Sequence, residues 1–341
     1  MKPVARALST LIALGAMTSA VLAQQQPAPS PRTFPPFELL DNDRVAFIGN
    51  AFFEREPRYS YLETVLLTRW PERNVTFRNL AWSGDTVFGH ARAAFDTPVQ
   101  GFERLVKVAH EQRPTVIFIS YGMAESFEGE KGLPEFRAGL ERLLDRLSDL
   151  SARTVLVSPI RHENMGAPLP NPENHNRDLR KYVEAMKAVA DARGHRFIDL
   201  YALLSEGNEA NTPRPAKERL TENGIHLSPH GYWRATLAIQ KGLGLPQSQW
   251  TTGPHGEITG GPGADTAEKI RKLAIAKNQQ FFNQWRPENE TYLFGFRRNE
   301  QGQNAREMPM FDKPIAEIEA AMAKVRATLT TATASPAGKS N

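Results

Sequence analysis

The stretch "RVAFIGNAFFER", Arg44 to Arg55, sets the class of fold. After Arg44 the chain runs Val-Ala-Phe-Ile without a polar break. A short apolar run with no polar alternation suits a strand buried on both faces, as in a parallel sheet. Gly49-Asn50 then breaks the run with turn residues. Many α/β enzymes carry a reactive side chain at such a strand-to-helix turn. Here the next residue is Ala51, which has no reactive atom.

Four more runs along the chain have the same character. They are "VTFRNLAW" (75–82), "TVIFISYG" (115–122), "TVLVSPI" (154–160) and "RFIDL" (196–200). Between and after them, amphipathic periodicity predicts helices over 59–70, 99–112, 133–150, 174–193 and 229–242. Strands alternating with helices imply βαβ units, hence a three-layer α/β/α fold around a mainly parallel five-stranded sheet. No internal repeat is evident. After Leu245 the pattern changes. A Gly/Thr-rich loop precedes a helix over 266–285, a polar-aromatic stretch with little periodicity, and a last helix over 313–329. The reading is a domain over 39–245, a helical and loop appendage over 246–330 packed on it, and a disordered tail over 331–341.

Composition removes several chemistries. The chain has no cysteine, which excludes disulfides, thiolate zinc sites and cysteine nucleophiles. Lys plus Arg exceed Asp plus Glu by 4, and Lys2 and Arg6 supply two of those cations from the N-terminal segment. A chain so near neutrality gives no support for a nucleic-acid partner. "MKPVAR" followed by "ALSTLIALGAMTSAVLA" reads as a signal peptide over 1–23, cleaved after Ala23. A Pro/Gln-rich spacer over 24–38 follows. The expectation is an exported protein, periplasmic or secreted, with no stable membrane insertion after cleavage.

In an open parallel sheet, ligands bind beyond the carboxyl ends of the strands. Every strand here ends there in a polar cluster. The first gives Asn50, Glu54 and Arg55; the second Trp82, Ser83, Gly84 and Asp85; the third Gly122 and Glu125; the fourth His162 and Asn164. "ENGIHLSPHGYW" adds Asn223 and His226 before the last helix of the domain. Any one cluster is ordinary turn chemistry. All at one edge of one sheet predict a cleft.

The order and spacing of these blocks resemble the SGNH (GDSL-type) hydrolase superfamily over roughly 40–245. "FIGNA" stands where that family has its Gly-Asp-Ser block, "NLAWSGDTV" resembles its second block, "SYGMAE" its third and "NGIHLSPHGY" its last. The resemblance is nearest to a bacterial branch that reads Gly-Asn-x-x-x-Glu-Arg at the first block, and "RPENETYLF" also looks like that branch. It implies a flavodoxin-like, SGNH-hydrolase-like sheet and ester hydrolysis, with acylated carbohydrate as a plausible substrate class. It also implies that Gly84 donates an oxyanion-hole N–H and that His226 is the family histidine. Three positions depart: the nucleophilic serine is Ala51, the His-orienting aspartate is Asn223, and the oxyanion-hole asparagine is Ala124. Without a nucleophilic side chain at 51 the family's standard mechanism cannot run.

Three functions remain open at this point. The first is an ester hydrolase in which His226 acts on water, with Asn223 accepting a hydrogen bond from its imidazole. Glu125 would supply charge there. Asn50, Gly84 and the Ala51 backbone would surround the oxyanion, and Ser83 is the substitute nucleophile to consider. The second is a non-catalytic glycan or ligand module offering Trp82, Tyr121, Phe127, His162, Asn50, Glu125 and Asn164. The third is an interaction protein using the C-terminal arm, or an arm folded over the cleft whose Arg286, Arg297, Arg298 and Arg306 meet its carboxylates. Substrate contacts are expected from Trp82, Ser83, Asp85, Gly122, Glu54, Arg55, His162 and Asn164. The eight histidines lack metal-ligand spacing and no phosphate loop follows a strand, so neither metal nor cofactor is expected.

Overall fold

The computed structural model describes residues 33–300 and 304–334. The leader over 1–23, the start of the spacer and the end of the tail lie outside the described residues. The five apolar runs form β1 (Arg44–Gly49), β2 (Thr76–Asn79), β3 (Val116–Ser120), β4 (Arg153–Val157) and β5 (Arg196–Ile198). They pair in parallel in the order β2-β1-β3-β4-β5. The chain therefore reverses its direction of sheet growth between β1 and β3. That reversal opens a crevice above their carboxyl ends.

In chain order the helices are α1 (Ala51–Arg55), α2 (Tyr61–Arg69), α3 (Pro98–Gln112), α4 (Leu133–Arg146), α5 (Glu173–Arg193), α6 (Leu200–Leu203) and α7 (Pro229–Gly242). The arm adds α8 (Ala264–Trp285), α9 (Glu290–Leu293) and α10 (Asp312–Ala334). Strand alternation splits the core into two layers. Val45 and Phe47 face a cluster with α2, α7 and α8, whereas Ala46 and Ile48 face one with α3, α4 and α5. Both faces are covered, which is why the central strands β1 and β3 are apolar on both sides, whereas edge strand β2 sets Thr76 and Arg78 on one face.

Caps explain where the helices begin. Thr97 and Gln100 form a reciprocal capping box ahead of α3, with Pro98 at its first position. The Ser228 hydroxyl accepts from Gly231 N–H at the start of α7. At the other edge of the sheet Asp43 ties three segments together: it accepts from Leu40 N–H and the Thr115 hydroxyl and pairs with Arg153.

The arm is fastened by a buried ion pair. Lys277 of α8 is fully buried, 2.8 Å from Glu63 of α2, and also donates to the Phe77 carbonyl at 3.0 Å. Asn278 donates to the same carboxylate at 2.9 Å. A cation buried this deeply is tolerated only when paired and hydrogen-bonded.

The strands end earlier than their apolar runs. Residues such as Ala81 and Tyr121 stay buried after leaving the ladder, because the chain dives into turns at the crevice. Five-residue α1 is too short to show periodicity. The Gly/Thr-rich loop holds a small hairpin, β6 (Thr251–Thr252) against β7 (Ile258–Gly260). The last helix runs through Ala334, into the segment read as tail.

Candidate active site

β1 delivers the first wall of the crevice. A Cβ on Gly49 would lie 2.4 Å from the Ser120 carbonyl oxygen, so only glycine lets β1 turn here beside β3. Asn50 follows as the N-cap of α1; its side-chain oxygen accepts from Phe52 N–H at 3.2 Å. Ala51 is the first helical residue, whose N–H has no partner within its helix. Gly84 approaches from the turn after β2 in the left-handed region, φ 74°.

Asn50, Ala51 and Gly84 border one cavity of about 240 Å3, with His226, Ala124, Met123, Phe127, Pro159, Ile160, Ile225 and Phe52. It sits over the β1/β3 reversal and is mostly apolar. A larger groove of about 670 Å3 lies between α3, α8 and α10 and holds none of Asn50, Ala51, Gly84 or His226.

His226 is presented by the loop before α7. The loop is organised by buried Glu163, which accepts from Leu220 N–H, Thr221 N–H and the Thr221 hydroxyl and pairs with Arg214. Burial, then the nearby Arg55 charge, lowers the His226 pKa, so the ring is neutral at neutral pH. Its Nδ1 lies 3.1 Å from Asn223 Nδ2. The Asn223 oxygen is already occupied by His226 N–H at 2.9 Å and Ile225 N–H at 3.3 Å. That fixes which way the amide faces. Asn223 therefore donates to Nδ1, and the ring proton resides on Nε2. The expectation that Asn223 accepts from the imidazole is reversed, because two backbone donors claim its only acceptor.

The other predicted residues fall into three places. Glu125 is buried beneath the cavity, where its oxygens accept from Val87 N–H and Gly122 N–H, each at 2.8 Å. Burial is the leading cause that raises its pKa to about 7. Asp85 is wholly buried, paired with Arg92 at 2.6 Å and bonded by the Tyr121 hydroxyl at 3.1 Å. Glu125, Asp85 and Tyr121 hold the turns around the cavity, and none borders it. The second place is the rim. The Ser83 hydroxyl donates to Glu54 at 2.7 Å, and Arg55 pairs with Glu222 at 2.8 Å, bracing α1 against the loop of His226. Trp82 faces the larger groove, edge-on to Trp285.

The third place is the far side of Phe127. His162 Nδ1 lies 3.0 Å from His175 Nδ1, and His175 Nε2 lies 2.8 Å from the Ser126 hydroxyl. Phe127 stacks on the His175 ring, whose pKa burial lowers to about 4. The Asn164 side chain accepts from Gly166 N–H, and its backbone N–H donates to the Asn211 side-chain oxygen. Of the four arginines considered in the arm, Arg286 meets a rim carboxylate, Glu54 at 3.5 Å, whereas Arg297 pairs locally with Glu300. Sequence reasoning missed the apolar lining from Met123, Pro159, Ile160 and Ile225, whose hydrophobicity looks like core in a linear reading. It also missed His175, which sits in a helical pattern far from the strand ends.

Among the described residues no group of three or more His, Asp or Glu side chains is placed to hold a metal ion. No helix among them is long and apolar enough to cross a membrane.

Comparison with known proteins bears on this geometry. The profile of the GDSL-like Lipase/Acylhydrolase family matches residues 49–234, from the Gly49 turn into α7. Among curated proteins none matches the sequence. Among solved structures, a gut microbial diltiazem-metabolizing enzyme superposes with a TM-score of 0.55 at 13% identity, covering 88% of this chain and 94% of that one. An acetylxylan esterase from Geobacillus stearothermophilus gives 0.47 at 19% identity, covering 62% of this chain and 98% of that one. An alpha/beta hydrolase enzyme from the metagenome of Lake Arreo, Spain, gives 0.47 at 18% identity, over 60% and 97%. At these identities the likeness is one of fold.

Proposed function

The chain belongs to the GDSL-like lipase/acylhydrolase family, and on that premise we propose that its cavity takes the acyl group of a small or carbohydrate-borne ester and hydrolyses it without an acyl-enzyme. The observation that carries this reading is convergence. Asn50, Ala51, Gly84 and His226 come from three separate segments and border one small, largely apolar cavity.

In this scheme water replaces the absent side chain beside Ala51. Its oxygen attacks the ester carbonyl while its proton passes to His226 Nε2. The oxyanion is met by the Ala51 and Gly84 N–H groups. The imidazolium then protonates the departing alcohol oxygen. The base form needs the proton moved to Nδ1, where it faces the Asn223 amide. Opposing two donors costs about 1–3 kcal/mol, which slows the reaction without forbidding it. Export through the 1–23 leader belongs to the same proposal, since an exported hydrolase meets acylated material outside the cell.

The Asn223 contact favours one second reading. With Nε2 protonated at rest, His226 is a donor, and the cavity becomes a receptor for a carbonyl or carboxylate group instead of a catalyst. Hydrolysis of aryl acetates and acetylated glycans by the mature protein, beside His226→Ala, separates the two. Turnover lost in His226→Ala is expected from the first. Equal rates in both proteins, with acetate or an acetylated sugar still bound, would leave the receptor.

A further inference from the structure

We propose that Arg286, supplied by the C-terminal arm outside the family match, is a positioning residue that holds the turn carrying Gly84. The proposal rests on the acyl-site reading above and assigns the arm a part in it.

The turn Trp82-Ser83-Gly84-Asp85 has unequal supports. Asp85 is gripped by Arg92 and Tyr121 from within the domain. Gly84 itself has no such grip: its φ is 74°, and a Cβ placed on it would meet nothing within 4 Å. With that side of Gly84 open, its N–H is placed by the turn itself, which the Asp85 N–H closes onto the Trp82 carbonyl at 3.0 Å. Trp82 is held from within the domain by its N–H bond to the Gly49 carbonyl at 3.0 Å and by Arg92, 5.6 Å from its ring, and both it and Ser83 also meet Arg286. Its guanidinium lies 3.8 Å from the centre of the Trp82 ring, a close stacking distance. It also lies 3.5 Å from Glu54 Oε1, and the other oxygen of that carboxylate accepts the Ser83 hydroxyl at 2.7 Å. One cation thus braces Trp82 by its face and Ser83 through Glu54.

The backbone supports the same assignment. Arg286 closes α8, its N–H donating to the Phe282 carbonyl at 2.9 Å. The helix is anchored a few turns earlier by the buried Lys277–Glu63 pair, so Arg286 is delivered from a rigid element. Trp285, its neighbour, meets the edge of Trp82 as well. A side chain kept only to fill space here would be apolar. Arg286 instead has a buried Nη1 without a hydrogen bond, and burial pushes its pKa down. That cost is offset by contacts with Trp82 and Glu54, both on the two segments that frame the cavity.

The test compares Arg286→Ala and Arg286→Lys with the unaltered chain in two measurements. The first is amide hydrogen exchange across residues 80–88. Exchange in this turn is expected to rise roughly tenfold in Arg286→Ala, with β1 and β3 amides unchanged. Arg286→Lys, which keeps the charge without the planar stack, falls between. The second is ester turnover in an Ala51→Ser/Asn223→Asp background. There kcat should drop on the order of 10²-fold in Arg286→Ala with KM unchanged, because an oxyanion donor acts chiefly in the transition state. Free guanidinium added to Arg286→Ala should recover part of it, which mere loss of folded protein would not allow. Unchanged exchange in the turn overturns the proposal, as does unchanged kcat in an active background. If the background itself hydrolyses nothing, the acyl-site reading falls, and the exchange measurement still decides whether Arg286 holds the turn.

Discussion

The cavity and the shell beneath it are furnished in opposite ways. The shell is rich in buried carboxyl groups, and each has work: Glu125 takes two backbone donors, Asp85 holds Arg92 and Tyr121, and Glu163 takes two backbone donors and a hydroxyl. The cavity is lined by Ala51, Met123, Ile160 and Ile225, with Asn223 behind His226. The difference separates two kinds of constraint. A shell residue cannot change without orphaning a backbone N–H, which costs about 1–3 kcal/mol for each group. A residue such as Ala51 supports nothing, so its side chain is free to follow chemistry alone.

The largest effect should come from rewriting the cavity. Ala51→Ser with Asn223→Asp supplies a nucleophile and returns the imidazole proton to Nδ1. Aryl-acetate turnover is expected to rise by about 10³-fold or more, with each single change giving far less because such groups act as a unit. Equal gains from Ala51→Ser alone would show that the Asn223 contact does not govern the tautomer.

Next in size is the anchor of the arm. Lys277→Met leaves Glu63 buried without its cation, for a loss of about 3–5 kcal/mol in urea unfolding. A loss near zero would mean that Asn278 satisfies the carboxylate unaided.

A titration probes the shell itself. Burial raises the folded pKa of Glu125 from 4.5 to about 7. A carboxyl whose pKa is raised on folding favours the folded state fully below pH 4.5, and the contribution is lost as pH rises toward 7. The stability of the unaltered chain relative to Glu125→Gln should therefore fall across that window, by about 1.4 kcal/mol per pH unit. A difference independent of pH would contradict the buried, protonated carboxyl. The smallest effect belongs to Asn50→Ala, about 1 kcal/mol for a lost helix cap, read by thermal unfolding.

Much of the fold was legible because its signals are local. "VAFI" can be buried on both faces only in a central strand, and Thr97-Pro98 with Gln100 writes a helix start within a few letters. The polar strand ends located the crevice for the same reason. The site was less legible, since it depends on which donor faces which acceptor. Nothing in "NGIH" says that Asn223 spends its oxygen on two backbone N–H groups. Glu125 is chemically fit for catalysis, and only its two backbone partners place it beneath the cavity. The stretch 286–311 shows no period, because its α9 helix spans four residues and its contacts run to distant segments, as Arg286 does to Trp82.

Whether the cavity presents an acyl carbonyl to position 51 can be read from the intact mass of the protein after rapid quenching from an aryl acetate. The Ala51→Ser/Asn223→Asp chain is expected to carry one acetyl group, attached at position 51, and the unaltered chain none. A double variant that folds and acquires no adduct would contradict the acyl-site reading, because the cavity would then not bring the ester carbonyl to that position.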